Sequence, residues 1–260
     1  MQSEFDITWV GHATTLIEVD GFRLITDPIL TNRVAHLRRR VEPAAIPPLD
    51  AVLISHLHTD HLHLRSLKSV AGGTRMVCPT GAAGLLHSLG AAEVLEVVAG
   101  EVVTLRPDGL TAAITATVVP ADHSNQRGPH SRLIAEPVGY VIRCGQRSVY
   151  FAGDTDLFDD MAHLGPIDVA LIPIWGWGPT LGERHLNPRS AARAVQMINP
   201  RRVLPIHWGT YSPIRPLPGT PTWLENPLAE FERELEAVGM ADRLVALRPG
   251  DRMQTVSSLQ

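Results

Sequence analysis

A single stretch, residues 55–61 with the sequence SHLHTDH, limits most strongly what this chain can fold into. It places three imidazoles and one carboxylate within six positions, directly after a continuous apolar run. Side chains alternate in extended backbone, so His56 and His58 point to the same side, whereas Asp60 and His61 project from the following turn. Neutral imidazole and carboxylate are the usual ligands of zinc and similar divalent ions. The stretch therefore predicts a metal site with space for one cation on each side of the turn.

Three more polar residues stand just past apolar strands, namely His123, Asp154 and His207. Strand exits are the usual place for functional groups in α/β architectures. Taken singly, each has a structural explanation, as a hydrogen-bonded loop histidine or as a carboxylate that caps a helix. Taken with residues 55–61, they complete the roughly six or seven ligands that two metal ions require. The set therefore favours a dinuclear site.

The rest of the chain intersperses short apolar strands with helical patterns, which favours sheets covered by helices. Gly21 precedes Asp27, and Gly145 precedes Asp154, at the ends of two similar hairpins, which suggests two similar β-rich halves. Apolar runs are spread along the chain without a low-complexity tract, so we expect one domain over residues 1–260. The predicted helices are 62–70, 81–89, 188–198 and 223–238.

The composition bears on partners and location. The formal net charge is −4, so no global field favours nucleic acid. No apolar stretch approaches membrane-spanning length, and the first residues lack a signal-peptide pattern. We therefore expect a cytoplasmic protein that binds a small, anionic substrate rather than a nucleic acid or a membrane. A homo-oligomer stays open, because the apolar stripe on the last predicted helix suits either a core or a dimer contact.

The order His-x-His-x-Asp-His, then His, Asp and His, resembles the metallo-β-lactamase superfamily from Trp9 to about Thr210. The resemblance implies an α/β (α+β) fold, a four-layer αββα sandwich with the metals at one edge. It implies that Asp154 bridges two ions and that Asp27 supports the site from behind. The implied ligands of the first ion are His56, His58 and His123, and those of the second are Asp60, His61 and His207.

Other segments are similar to one branch of that superfamily, which contains ascorbate-6-phosphate lactonase and the N-acyl-phosphatidylethanolamine-hydrolysing phospholipase D. These segments are Trp9–Thr14, Leu24–Pro28 and His185–Pro188. No cysteine lies near a ligand, unlike the commonest metallo-β-lactamases. Flavo-diiron proteins have Glu where this chain has His58, which disfavours a redox di-iron site.

The resemblance implies a hydrolase in which a metal-bridging hydroxide attacks an ester, a lactone or a phosphodiester. Asp60 and Asp154 would be its catalytic carboxylates, and His185 a proton donor or oxyanion contact. Zinc is the expected metal, although manganese, iron or nickel also suits the ligands. The alternatives are a lipid or nucleotide phosphodiesterase of the same fold, a non-catalytic metal-binding protein and a redox di-iron protein.

Substrate contacts are assigned to aromatic and basic residues near the predicted ligands. The competing interpretation is that the tryptophans fill the edge of the core and that the arginines are solvated. His12, in the turn Gly11-His12-Ala13, is left without a role. The assigned residues are Trp175, Trp177, Trp208, Arg127 and Arg132.

Overall fold

The computed structural model describes residues 4–43, 45–109, 112–128, 130–176, 178, 181–214 and 224–255. Four α-helices occur within these ranges: α1 (Leu64–Val70), α2 (Ala83–Leu86), α3 (Pro188–Ile198) and α4 (Asn226–Ala237). The first eight strands are β1 (Asp6–Gly11), β2 (Thr14–Val19), β3 (Phe22–Thr26), β4 (Arg33–Val34), β5 (Leu37–Arg39), β6 (Ala51–Leu53), β7 (Arg75–Pro79) and β8 (Glu93–Val97). The others are β9 (Val102–Arg106), β10 (Ile114–Pro120), β11 (Val138–Cys144), β12 (Arg147–Phe151), β13 (Val169–Pro173), β14 (Arg202–Ile206), β15 (Tyr211–Pro213) and β16 (Arg252–Gln254).

Two large sheets organise these strands. One has the order β16-β1-β2-β3-β6-β7-β8, and the other has the order β14-β13-β12-β11-β10-β9. In the first, β1 to β3 are antiparallel and β3, β6, β7 and β8 are parallel. In the second, β9 to β12 are antiparallel and β12 to β14 are parallel. The two sheets therefore share one plan, in keeping with the two similar halves that the sequence suggested.

Alternating side chains build the layers of the fold. Along β12, Val149 and Phe151 join the core between the two sheets, whereas Tyr150 joins the cluster around α3 and α4. On the other side, Leu67 of α1 and Leu86 of α2 pack on the outer face of the first sheet. The result is helices, sheet, sheet and helices in four layers, which confirms the predicted αββα fold class.

The last helix packs against the core. Phe231 and Leu235 of α4 are fully buried in the cluster that also contains Val195 of α3. These members of the predicted apolar stripe therefore serve core packing rather than a dimer contact. Trp223, where the sequence placed the helix start, lies outside the described residues.

Among the described residues, no helix combines the length and the hydropathy needed to cross a membrane.

The two sheets are in close contact where β6 and β12 end. Gly153 has a φ of +65°, and a Cβ atom at this position would lie 2.6 Å from the Cβ of Ser55. The amide of Val138 donates to the carbonyl of Ser55 at 3.0 Å, which ties the end of β6 to the start of β11. Glycine is therefore required at position 153, and its absence of a side chain brings the residues after β6 against those after β12.

Gly153→Ala should destabilise the metal-free protein much more than Gly145→Ala. Gly145 has a similar φ of +56°, but the nearest atom to a Cβ there is 4.0 Å away, so it is a matched control. The control should lose about 1–2 kcal/mol from left-handed strain, and Gly153→Ala about 1–3 kcal/mol more from the overlap with Ser55. Unfolding in denaturant measures both losses, and equal losses would contradict the account of this contact.

Candidate metal centre

The predicted ligands lie together at one edge of the sandwich. Each follows the end of a strand, so the direction of the strands in both sheets brings them to the same place. Asp27 follows β3, the 55–61 stretch follows β6, and His123, Asp154 and His207 follow β10, β12 and β14. Residues that are separated by as many as 180 positions in the sequence thus form one buried cluster.

Three histidines form a first donor group. The Nε2 atom of His56 lies 3.1 Å from Nδ1 of His58, and Nε2 of His123 lies 3.0 Å from the same Nδ1 atom. The potential ligand atoms of all three residues lie within 4.8 Å of one another. This is the set that the sequence assigned to the first ion.

A second group contains Asp60, His61 and His207. The Nε2 atoms of His61 and His207 are 3.0 Å apart. The Oδ2 atom of Asp60 lies 3.9 Å from the first of these nitrogens and 3.8 Å from the second. These distances place the three residues around one point, as expected of the set assigned to the second ion.

Asp154 contacts members of both groups. Its Oδ2 atom lies 3.1 Å from Nε2 of His61 and 3.2 Å from Nε2 of His207. Its ligand atom also lies within 4.8 Å of those of His123 and His185. The other oxygen, Oδ1, is buried and has no hydrogen-bond partner among the described residues. Asp154 therefore lies between the two groups.

The protonation of the histidines tests whether a cation fits. The Nδ1 atoms of His61, His123 and His207 face the carboxylate of Asp27 at 2.7 Å, the carbonyl of Arg184 at 2.9 Å and the carbonyl of Trp175 at 2.8 Å. These oxygens only accept, so Nδ1 carries a hydrogen and Nε2 is the ring atom that faces the cluster. Imidazole nitrogens that face each other at 3.0 Å need a positive charge between them, either a proton or a metal ion. The donor set therefore fits divalent cations such as zinc.

The charges of the cluster are strongly coupled. Burial alone would lower the pKa of His61, but Asp154 and Asp60 raise it well above its ordinary value. Burial would also lower the pKa of His207, and Asp154 raises it. The pKa of Asp154 itself is held well below its usual range by these two imidazoles, against the opposite effect of its burial. Positive charge is thus strongly favoured at this point of the structure.

A buried network behind the ligands connects the two groups. Asp27 accepts hydrogen bonds from the amide of Ser55 at 2.8 Å and from the hydroxyl of Ser55 at 2.5 Å, as well as from His61. The hydroxyl oxygen of Ser55 lies 2.9 Å from Nδ1 of His56. Asp27 thus hydrogen-bonds the predicted ligand His61, which is the supporting position that the resemblance implied. Ser55 was not singled out from the sequence, although it directly precedes the first histidine of the motif.

A pocket of about 370 Å³ opens onto the two donor groups. His185 stands on its wall, with Nε2 3.7 Å from Oδ2 of Asp154 and with Nδ1 2.9 Å from the carbonyl of Glu183. Arg127 also lines the pocket, and its guanidinium donates to the carbonyl of Leu57 at 2.9 Å. The described lining residues are His58, Thr59, Asp60, Arg127, Gly128, Asp154, Gly176, Gly178, Leu181, Gly182, His185 and His207.

Three of the residues assigned to substrate binding do not line this pocket. Trp208 stacks on Trp9 with ring centroids 5.6 Å apart and fills the edge of the core. The carbonyl of Trp175 holds His207, while its indole donates to Gly178 and the residue borders a separate cavity beside α3 and α4. The side chain of Arg132 is exposed and absent from the described lining. Trp177 lies outside the described residues.

His12, to which the sequence gave no role, joins the second group. Its Nε2 atom lies 3.1 Å from Oδ2 of Asp60, and the residue is 2 % exposed. Burial lowers the pKa of His12 to about 3. The signal available in the sequence was the turn Gly11-His12-Ala13 directly after a predicted strand, but its partner is 48 positions away.

Comparison with known proteins identifies the family of this chain. A family model described as a β-lactamase superfamily domain matches residues 22–208, a range that contains all seven predicted ligands. The chain belongs to the β-lactamase superfamily. This membership confirms the resemblance that the motif order indicated.

Relatives of this superfamily member include a UPF0173 metal-dependent hydrolase of Methanopyrus kandleri, 35% identical over 94% of this chain and 97% of the relative. The N-acyl-phosphatidylethanolamine-hydrolyzing phospholipase D 1 of Caenorhabditis elegans is 31% identical over 78% of this chain and 64% of the relative. A solved structure, the metallo hydrolase Igni18 of Ignicoccus hospitalis, matches with a TM-score of 0.71 and 25% identity, over 96% of this chain and 98% of that one.

Metal binding by this superfamily member should release protons. His61 and His207 hold a proton to higher pH than the ordinary value of 6.5, and a cation must displace it. Proton release per bound ion should therefore be complete below the raised pKa values and should decline as the pH rises through them, and the apparent metal affinity should fall as the pH falls.

Zinc titration in a weakly buffered solution with a pH indicator measures this release. His207→Asn should release fewer protons than the wild type, because one of the two protonated rings is gone. Equal release from the two proteins, or none from either, would contradict the protonation states described above.

Proposed function

We propose that this metal-dependent hydrolase holds two divalent ions and hydrolyses a small, anionic ester, lactone or phosphodiester. The observation that carries the proposal is the position of Asp154, whose carboxylate contacts His61 and His207 and adjoins His123. A carboxylate between two groups of imidazoles is the arrangement that a dinuclear centre requires. Zinc is the metal we propose, because imidazoles and carboxylates are its usual ligands in catalytic sites.

The first ion would be held by His56, His58 and His123, and the second by Asp60, His61 and His207, with Asp154 between them. When bound, the ions would lower the pKa of water and polarise the substrate oxygen. Because Oδ1 of Asp154 lacks a hydrogen-bond partner among the described residues, it is placed to accept a hydrogen from the attacking water and orient it.

His185 is placed to move a proton. Its Nδ1–H donates to the carbonyl of Glu183, so Nε2 faces the pocket with a lone pair. This atom lies 3.7 Å from Oδ2 of Asp154, on the wall of the pocket that adjoins the proposed ligands. Nε2 can take up a proton from the water and then give it to the leaving oxygen, which is the role of a general base and acid.

Arg127 supports an anionic substrate. Its guanidinium is fixed by the carbonyls of Leu57 and Leu62 and has no carboxylate within ion-pair distance among the described residues. It therefore adds a positive charge that its own hydrogen bonds do not neutralise. A carboxylate or phosphate on the substrate would satisfy the remaining N–H groups. The pocket volume of about 370 Å³ favours a small molecule.

The second candidate is a lipid phosphodiesterase of the same fold, which the similarity to the phospholipase D of Caenorhabditis elegans favours. The small volume of the pocket favours the first candidate. The presence of every predicted ligand disfavours a non-catalytic protein, and His58 disfavours a redox di-iron protein. A location in the cytoplasm and a homo-oligomer stay predictions.

Asp154→Ala tests the proposal directly. The variant should bind one ion tightly instead of two, and its turnover should fall by more than about 100-fold. The loss of a hydrogen bond to a metal ligand typically lowers metal affinity or activity 10–100-fold, and the loss of a ligand itself should cost more. Metal quantification after dialysis, paired with a screen of esters, lactones and phosphodiesters, measures both. Retention of two ions with undiminished turnover would overturn the assignment of Asp154.

His185→Gln should reduce kcat by about 100-fold or more, since general acid–base groups contribute roughly 10²–10⁴-fold. The two ions should remain, because His185 is not among the proposed ligands. Steady-state kinetics together with metal analysis separates these effects. An unchanged kcat would exclude proton transfer by this residue.

Arg127→Gln should raise KM about 10-fold for a substrate that carries a carboxylate, because one charge-assisted hydrogen bond is lost. A neutral substrate of the same size should be affected much less. The matched control is Arg132→Gln, which removes an exposed arginine from the same loop. Equal changes for charged and neutral substrates, or a loss of metal from the Arg127 variant, would assign the residue to holding the loop instead.

A further inference from the structure

We propose that His12 is a positioning residue that fixes the carboxylate of Asp60 in the direction needed to join His61 and His207. The Nε2 atom of His12 lies 3.1 Å from Oδ2 of Asp60. A carboxylate only accepts hydrogen bonds, so His12 donates. The proposal deepens the proposed function and rests on it, because it concerns the direction of one ligand of the second ion.

The backbone of His12 is held by both sheets. Its amide donates to Oγ1 of Thr210 at 2.7 Å, and its carbonyl accepts from the amide of His207 at 2.9 Å and from the indole of Trp9 at 2.9 Å. Trp9 belongs to β1, whereas Thr210 and His207 follow β14 of the other sheet. These three hydrogen bonds fix the position from which the imidazole extends.

The backbone of the turn at His12 is strained, and contacts with neighbouring residues hold it in this conformation. His12 has a φ of +56°, and Gly11 before it has a φ of +124°. A Cβ atom on Gly11 would lie 2.9 Å from Cγ2 of Thr210. The guanidinium of Arg39 supports the same turn by donating to the carbonyl of Val10 at 2.7 Å. Non-glycine residues at positive φ are uncommon and cluster at functional sites.

The ring of His12 is fixed as firmly as its backbone. It lies over the ring of His207 with centroids 3.9 Å apart and meets the ring of Tyr211 edge-on at 5.5 Å. At 2 % exposure it has no access to bulk water that would compete for its hydrogen bond. The ring therefore offers its N–H to Asp60 in a single direction.

Asp60 needs such a partner. It stands in the loop between β6 and α1, and its side chain is 15% exposed, more than the other carboxylate of the site. Its Oδ2 atom is 3.8–3.9 Å from the ring nitrogens of His61 and His207, too far for a hydrogen bond to either. Among the described residues, the contact with His12 is the one hydrogen bond within normal range that orients this carboxylate.

The variants His12→Asn and His12→Gln separate the hydrogen bond from the packing. Asn tolerates the left-handed backbone but is too short to place its amide where Nε2 of His12 lies, whereas the longer Gln can reach it. His87→Asn, at an exposed histidine, is the control. Loss of an outer contact typically costs 10–100-fold in metal affinity.

The test titrates wild type and variants with zinc against a competing chelator, records the visible absorption of the cobalt-loaded proteins, and measures unfolding without metal. We expect His12→Asn to weaken the second ion 10–100-fold and to change the cobalt spectrum, while the first ion is unaffected. His12→Gln should restore both properties, and His87→Asn should resemble the wild type.

Two other outcomes would overturn the proposal. Wild-type affinity and spectrum in His12→Asn would show that Asp60 needs no such partner. Equal weakening of both ions in the Asn and Gln variants, together with lower stability without metal, would show that the ring serves packing alone. If the wild type itself binds fewer than two ions, the proposed function fails, and the proposal for His12 fails with it. In the first two outcomes the wild type binds two ions, so only the proposal for His12 fails.

Discussion

The buried imidazole nitrogens at the edge of the two sheets are the constraint on which the site depends. The Nδ1–H groups of His61 and His207 are committed to a carboxylate and a carbonyl, and their Nε2 atoms face each other at 3.0 Å. Such an arrangement is unfavourable away from water unless a positive charge lies within it. Two carboxylates, the buried Asp154 and the partly buried Asp60, strengthen that requirement. The fold thus maintains a cavity whose electrostatics select a cation.

The sandwich supplies the rigidity that this arrangement needs. Both sheets change from antiparallel to parallel strands, and the strand ends near that change carry the ligands. Gly153 allows the two ends to meet, and Ser55 and Asp27 then connect His56 of one donor group with His61 of the other. Strand ends and buried hydrogen bonds hold most of the ligands in place. The segment between β13 and α3 also contributes, because the carbonyls of Arg184 and Trp175 hold His123 and His207. The same segment lines the pocket through Gly182 and His185, so it can influence which substrate enters.

The sequence was sufficient to place the seven ligand side chains after strand ends, because residue type and position after a strand are both local properties. The four layers and the division of the ligands into two groups came from the resemblance to a known superfamily. The sequence was insufficient for side-chain direction. Trp208 stands beside a ligand in sequence yet turns to Trp9 in the core, and Trp175 contributes its carbonyl rather than its ring to the site. The contact between His12 and Asp60 spans 48 positions and depends on how β1 and β14 meet, which no local pattern records.

The proposed function requires that two cations share this cluster. Crystals of the zinc-loaded protein, measured with X-rays on both sides of the zinc absorption edge, would locate each ion. We expect two anomalous peaks, one among His56, His58 and His123 and the other among Asp60, His61 and His207, with Asp154 between them. A single peak, or a second peak away from Asp60, His61 and His207 in fully loaded crystals, would contradict the proposed function.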